Sequence, residues 1–109
     1  MTPNEQQSLH AEVVHVATAV LNRAIGITDG ARRLVELGFR LGTDKDPDFT
    51  VFIGIDSETD RFPLGTVRSH WSSEALDRYD IERLKTEEHY RDFAEEACRS
   101  LIQRYEPAA

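Results

Sequence analysis

The chain has 109 residues, 39% of them hydrophobic, with 20 acids against 13 bases and a formal net charge of −7. That length suits one domain, because two cores drawn from it would each be too small to stand alone. A field of that sign repels a phosphate backbone and argues against a nucleic-acid reader; Cys98 is the only cysteine, which excludes an internal disulfide and a paired-cysteine zinc site.

The polar start, MTPNEQQSLH, lacks the basic region of a signal peptide, and residues 1–7 are expected to be without fixed structure. No apolar run approaches the roughly 20 residues of a membrane span. These features lead us to expect a cytoplasmic protein.

The first helix is predicted over 9–25. Leu9, Val13, Val16, Ala17, Val20, Leu21 and Ala24 recur at helical spacing, with Ser8 placed to cap its start and Gly26 to end it. A second helix is predicted over 29–41, with Thr28 as N-cap, Asp29 in its first turn and Gly42 at its end. Gly38 inside it costs about 1 kcal/mol of helix propensity, which a close approach to the first helix would offset. The short connection makes the two an antiparallel hairpin.

Residues 49–55, FTVFIGI, read either as a strand or as a short helix. Asp46, Pro47 and Asp48 supply an N-cap, an N1 proline and an early acid. A strand would have no partner in this chain, so a short helix is preferred. Next comes IDSETDRFPLG, with Asp56, Glu58 and Asp60 at alternate positions. A calcium loop starting at Asp56 would need glycine at its sixth place and glutamate at its twelfth. Those places hold Arg61 and Val67, so the run reads as an acidic turn, with Arg61 and Arg68 near enough to pair with its carboxylates.

Ser72 can cap a last helix, with Trp71 and Leu76 spaced for a hydrophobic staple. Tyr90, Phe93, Ala94, Ala97, Cys98, Leu101, Ile102 and Tyr105 form its apolar stripe. Helical from about 73 to 105, it would be on the order of 50 Å long, so it must bend, break near 85–89, or pack against another subunit. The expected architecture is therefore all-α: a helical hairpin plus a short helix or extended connection, packed on a long C-terminal helix in a single domain over 1–109.

The charge is uneven: segments 43–65 and 72–109 each carry −4. A basic protein surface would be attracted to both. The expected function is a non-catalytic interaction module, of inhibitor or immunity kind, acting on a basic partner; a homodimer through the last helix is also expected to be open to it. The competing expectation is a small-molecule or metal-binding protein, or an enzyme, with its pocket at 56–71. Asp56, Glu58, Asp60, Arg68 and Trp71 are the candidate binding residues, Trp71 either stapling the last helix or serving as an exposed aromatic anchor. No catalytic residue, metal ligand or cofactor is assigned. Glu12 and His15 match half of a di-iron element, but Thr86 stands where the second half needs glutamate. Cys98 sits in the apolar stripe as a structural thiol.

FIGIDSETDRFPLGTVRSHWSSEAL followed by YRDFAEEACRSLI resembles a group of small bacterial proteins of unassigned function. The shared features are residues 56–60, residues 63–65, Arg68 and Trp71. The resemblance implies a bacterial soluble protein and carries no activity with it.

Overall fold

The computed structural model describes residues 1–107. It contains α1 (Pro3–Leu21), α2 (Ile27–Leu41), α3 (Pro47–Thr59), a short 3-10 helix (Gly65–His70) and α4 (Ser73–Tyr105), with no strand among the described residues. Each α-helix packs on its neighbour in sequence and α1 closes the ring on α4.

α1 begins earlier than the apolar pattern suggests. Thr2 Oγ1 accepts from the Glu5 amide at 3.1 Å, and Pro3 occupies the first turn. Residues 3–7, expected to lack structure, are thus the first turns of α1, and Ser8 is not its cap. Thr-Pro-x-Glu is itself a start signal, the threonine three residues before a glutamate with proline at N1.

The end of α1 also differs from expectation. Asn22 is the C-cap, and Arg23 takes the left-handed conformation with φ 60°. Ala24 N–H reaches the Ala19 carbonyl at 2.9 Å and Arg23 N–H the Val20 carbonyl at 3.1 Å, a Schellman closure that glycine usually provides. Gly26 instead caps the start of α2, so α2 starts at Ile27 and Thr28 lies within its first turn. At its other end Gly42, with φ 70°, closes α2 as the sequence predicts.

Residues 47–59 are helical, which settles the helix-or-strand choice at 49–55. Asp46 caps α3 by accepting from Asp48 N–H at 3.0 Å. The core joins Leu9, Val13, Val16, Ala17 and Val20 of α1 to Ile27, Ala31, Leu34 and Leu37 of α2. Phe49, Phe52 and Ile55 come from α3, and Ala94, Ala97, Cys98 and Leu101 from α4. The phenyl rings of Phe49 and Phe52 are fully buried, and Phe49 meets Tyr105 of α4 edge-on at 6.2 Å. Gly38 makes its close approach to α3 rather than α1: a Cβ there would sit 2.7 Å from the Phe49 ring.

α4 is unbroken for 33 residues. The molecule accommodates it by being elongated, 47 × 26 × 24 Å, its long axis matching the roughly 50 Å of such a helix. Part of its N-terminal half is covered from within the chain, around Tyr79. Phe62 is buried and meets Tyr79 edge-on at 6.1 Å, and Trp71 meets Tyr79 edge-on at 5.1 Å. Ser72 caps α4 through the Ala75 amide as predicted. The helix does not break near 85–89, and Ile81 and Leu84 on it remain 56% and 55% exposed. Phe93 leaves the expected stripe and stands 62% exposed.

Candidate functional site

Asp56 and Glu58 lie in the last turns of α3, not in a loop. At 100° per residue, side chains two apart point to opposite sides. Asp56 turns toward α2, where Arg32 Nε lies 3.8 Å away. Glu58 turns toward α4 and accepts from Tyr90 Oη at 2.6 Å, which raises the Tyr90 pKa. Asp60 is exposed at the helix end. The backbone here is held by Arg32, whose Nη2 donates to the carbonyls of Thr59 and Phe62 at 2.8 Å each. A guanidinium on these last carbonyls complements the negative end of the α3 dipole.

Arg68 and Trp71 are engaged elsewhere. Arg68 forks onto Asp80 of α4 with both contacts at 2.8 Å. That bidentate bond holds the Asp80 carboxyl below its ordinary pKa and raises that of Arg68. Arg61 reaches Glu82, also on α4, at 3.2 Å. Both arginines therefore fasten the 60–71 connection to α4 instead of pairing with the Asp56–Asp60 carboxylates. Trp71, 39% exposed, packs on Tyr79. The five residues do not converge on one cleft, and among the described residues no group of three His, Cys, Asp or Glu is arranged to hold a metal.

The most deeply buried charge escaped the sequence reading. Glu87, 3% exposed, accepts from Thr28 N–H at 3.0 Å, Thr28 Oγ1 at 2.7 Å and Arg83 Nη1 at 3.1 Å, all on one carboxylate oxygen. A side chain of α4 thus supplies the anion that the N-terminus of α2 needs. Gly26 makes room, since a Cβ there would lie 3.2 Å from that oxygen. Arg83 also approaches Asp80 at 3.6 Å, so an alternating chain of charges runs from Arg68 through Asp80 and Arg83 to Glu87. The start of α3 is held likewise: Arg104 pairs with both Asp46 and Asp48, and Ser100 Oγ donates to Asp48 at 2.6 Å. Arg104 holds the Asp46 carboxyl below its ordinary pKa. The signal for Glu87 in the sequence is faint: a glutamate four residues after Arg83 on the inward face of α4.

The surface carries several shallow grooves: one of about 380 Å3 between α1 and α2, beside Glu12 and Arg40, one of about 390 Å3 beside His10 and Tyr105, and one between α3 and α4. One part of the α3/α4 groove, about 300 Å3, is lined by Thr50, Val51, Gly54, Tyr90 and Phe93. The adjoining part, about 290 Å3, shares Val51 and Phe93 and adds Pro47, Asp48, Glu96, Ala97 and Ser100. The floor is apolar and the ends are acidic. Glu58 closes one end through its bond to Tyr90, and Glu96 and Asp48 line the other, where Asp46 and Arg104 lie alongside. Of the five candidate binding residues, only Glu58 reaches this groove, through its bond to Tyr90. Phe93, expected in the core, forms its rim.

Cys98 is buried in the core, and burial pushes its thiol pKa up to about 12. Glu12 and His15 are exposed on α1. No helix is long and apolar enough to cross a membrane among the described residues. No curated protein and no solved structure matches the chain. The model of an uncharacterised family, described as "Protein of unknown function (DUF2489)", matches residues 1–101, and the chain belongs to that family.

Proposed function

We propose that the protein is a non-catalytic interaction module of the bacterial cytoplasm, of inhibitor or immunity kind, that binds a basic partner through the α3/α4 face. The observation that carries this reading is an apolar groove lined toward one end by Glu96 and bordered at the other by Glu58, which is bonded to the lining residue Tyr90. Many other acids are consumed within the fold, at helix ends and in the Arg68-to-Glu87 chain. Asp48 is one of these, paired with Arg104 and Ser100. Glu58, hydrogen-bonded to the neutral Tyr90 hydroxyl, and Glu96 sit instead beside exposed apolar surface, the combination that steers and then holds a cationic partner. The exposed aromatic ring of Phe93 supplies the kind of anchor that dominates such interfaces.

The test is capture from the native cell at low and moderate salt, followed by titration of the purified partner. The partner should be basic, bind more weakly as salt rises, and be lost when Glu58 and Glu96 are replaced by lysine. A partner that binds the charge-reversed variant as well as the wild type defeats the proposal, as does the retention of none.

A further inference from the structure

We infer that the α3/α4 groove receives a basic amphipathic helix, which seats a large apolar side chain over Gly54. This deepens the reading above and rests on it. Gly54 is the observation that goes further. Glycine is a poor residue for a helix interior, and the other two glycines inside α-helices of this chain have internal reasons: a Cβ would collide with Val20 at Gly30 and with Phe49 at Gly38. At Gly54 a Cβ would meet nothing within 4 Å. Nothing inside the molecule accounts for it. On the outside, Gly54 lies in the floor of the groove with Val51, Tyr90 and Phe93 around it, leaving a hollow that any larger residue would fill.

A helix fits this hollow better than a second copy of the chain. From Asp48 to Glu58 the groove follows α3 for about 15 Å at the helical rise, so a helix lying along it would place basic residues one to two turns on either side of its central anchor, facing the acids at both ends. A second copy would bring Glu58 and Glu96 against acidic ends of the same kind, and with a net charge of −7 on each molecule that approach is repulsive. Apolar anchors at helical spacing laid into a groove are a recurring mode of recognition.

The probe is a fluorescein-labelled amphipathic peptide of Lys and Leu, about 14 residues long, with one central Trp. Its control is a scrambled peptide of the same composition, which cannot gather its leucines on one face. The patterned peptide should bind the wild-type protein more tightly than the scrambled one. Gly54→Leu, which fills the hollow, and Phe93→Ser, which removes the rim, should each weaken it by at least about tenfold. Glu12→Gln and Glu36→Gln, on the α1/α2 side, should change it less than about twofold. Thermal melts of all variants establish that they are folded, and Gly54→Leu should melt no lower than wild type. If both peptides bind equally and Gly54→Leu changes nothing, the helix-in-groove inference is overturned while the basic-partner reading stands. If neither peptide binds even at low salt, that underlying reading falls with it. A wild-type dimer by light scattering that Gly54→Leu converts to monomer also overturns the inference, because the second copy is then the occupant.

Discussion

Removing the carboxylate of Glu87 probes the least obvious support in this fold. Its one oxygen accepts from Thr28 N–H, Thr28 Oγ1 and Arg83 Nη1 at 2.7–3.1 Å. Hydrogen bonds to a charged group contribute about 1.5–3 kcal/mol each, and breaking a buried pair from one side costs about 3–5 kcal/mol. Arg83 is 19% exposed and keeps Asp80 at 3.6 Å, so the cost falls at the lower end. Glu87→Ala should destabilise by about 3 kcal/mol. Glu87→Gln keeps the shape and one acceptor but loses the charge facing the α2 dipole, and should cost about 1–2 kcal/mol. At about 4–6 °C per kcal/mol for a domain of this size, the alanine variant should melt on the order of 12–18 °C lower. Urea titration and thermal melts followed by circular dichroism read these values directly. A double-mutant cycle with Thr28→Val should show coupling of about 1 kcal/mol. If Glu87→Ala costs less than about 0.5 kcal/mol, or the cycle shows no coupling, the cross-helix cap contributes nothing and the reasoning is wrong.

Three further outcomes are expected. Cys98, fully buried with its pKa pushed up to about 12, should not react with a thiol reagent at pH 8 in the native protein and should react fully in denaturant; rapid native labelling would contradict the buried placement. Asp46 and Asp80 have folded pKa values below their ordinary ones, through Arg104 and Arg68 respectively. Their contribution is therefore fully present above about pH 4 and is lost as pH falls through the folded values, and Arg104→Gln should flatten that acid limb in urea titrations run across pH. Arg23→Gly relieves a left-handed residue with φ 60° and should raise stability by about 0.5–1 kcal/mol; a loss would mean that the side chain contributes more than its backbone strain costs.

Much of the architecture could be read residue by residue. The α1 stripe from Leu9 to Val20, the Asp46-Pro47-Asp48 start of α3, Gly42 at the end of α2 and the Ser72 cap are local signals acting over a few residues, and each is found where expected. The errors arose where a local signal had two uses. Gly26 was read as a helix stop because glycine commonly ends helices, yet Arg23 fills that place and Gly26 is needed for space beside Glu87. The Asp56–Asp60 run looked like one acidic feature because its residues are adjacent in sequence. On a helix they are spread around the axis, and Asp56 and Glu58 serve different neighbours.

The sequence by itself determined the helical class, the absence of an internal disulfide, and about half of the helix ends, because periodicity, capping and turn chemistry depend on residues within a turn or two of each other. It also determined the sign and unevenness of the charge. Only the tertiary structure decided which acids are consumed within the fold and which remain exposed. Glu87 reaches Thr28 across 59 positions of the chain and Arg104 reaches Asp46 across 58, whereas Phe93 leaves the core stripe to border the groove at Gly54. Such pairings depend on how the four helices pack together, and a charge or a ring acquires its role only from what that packing places opposite it.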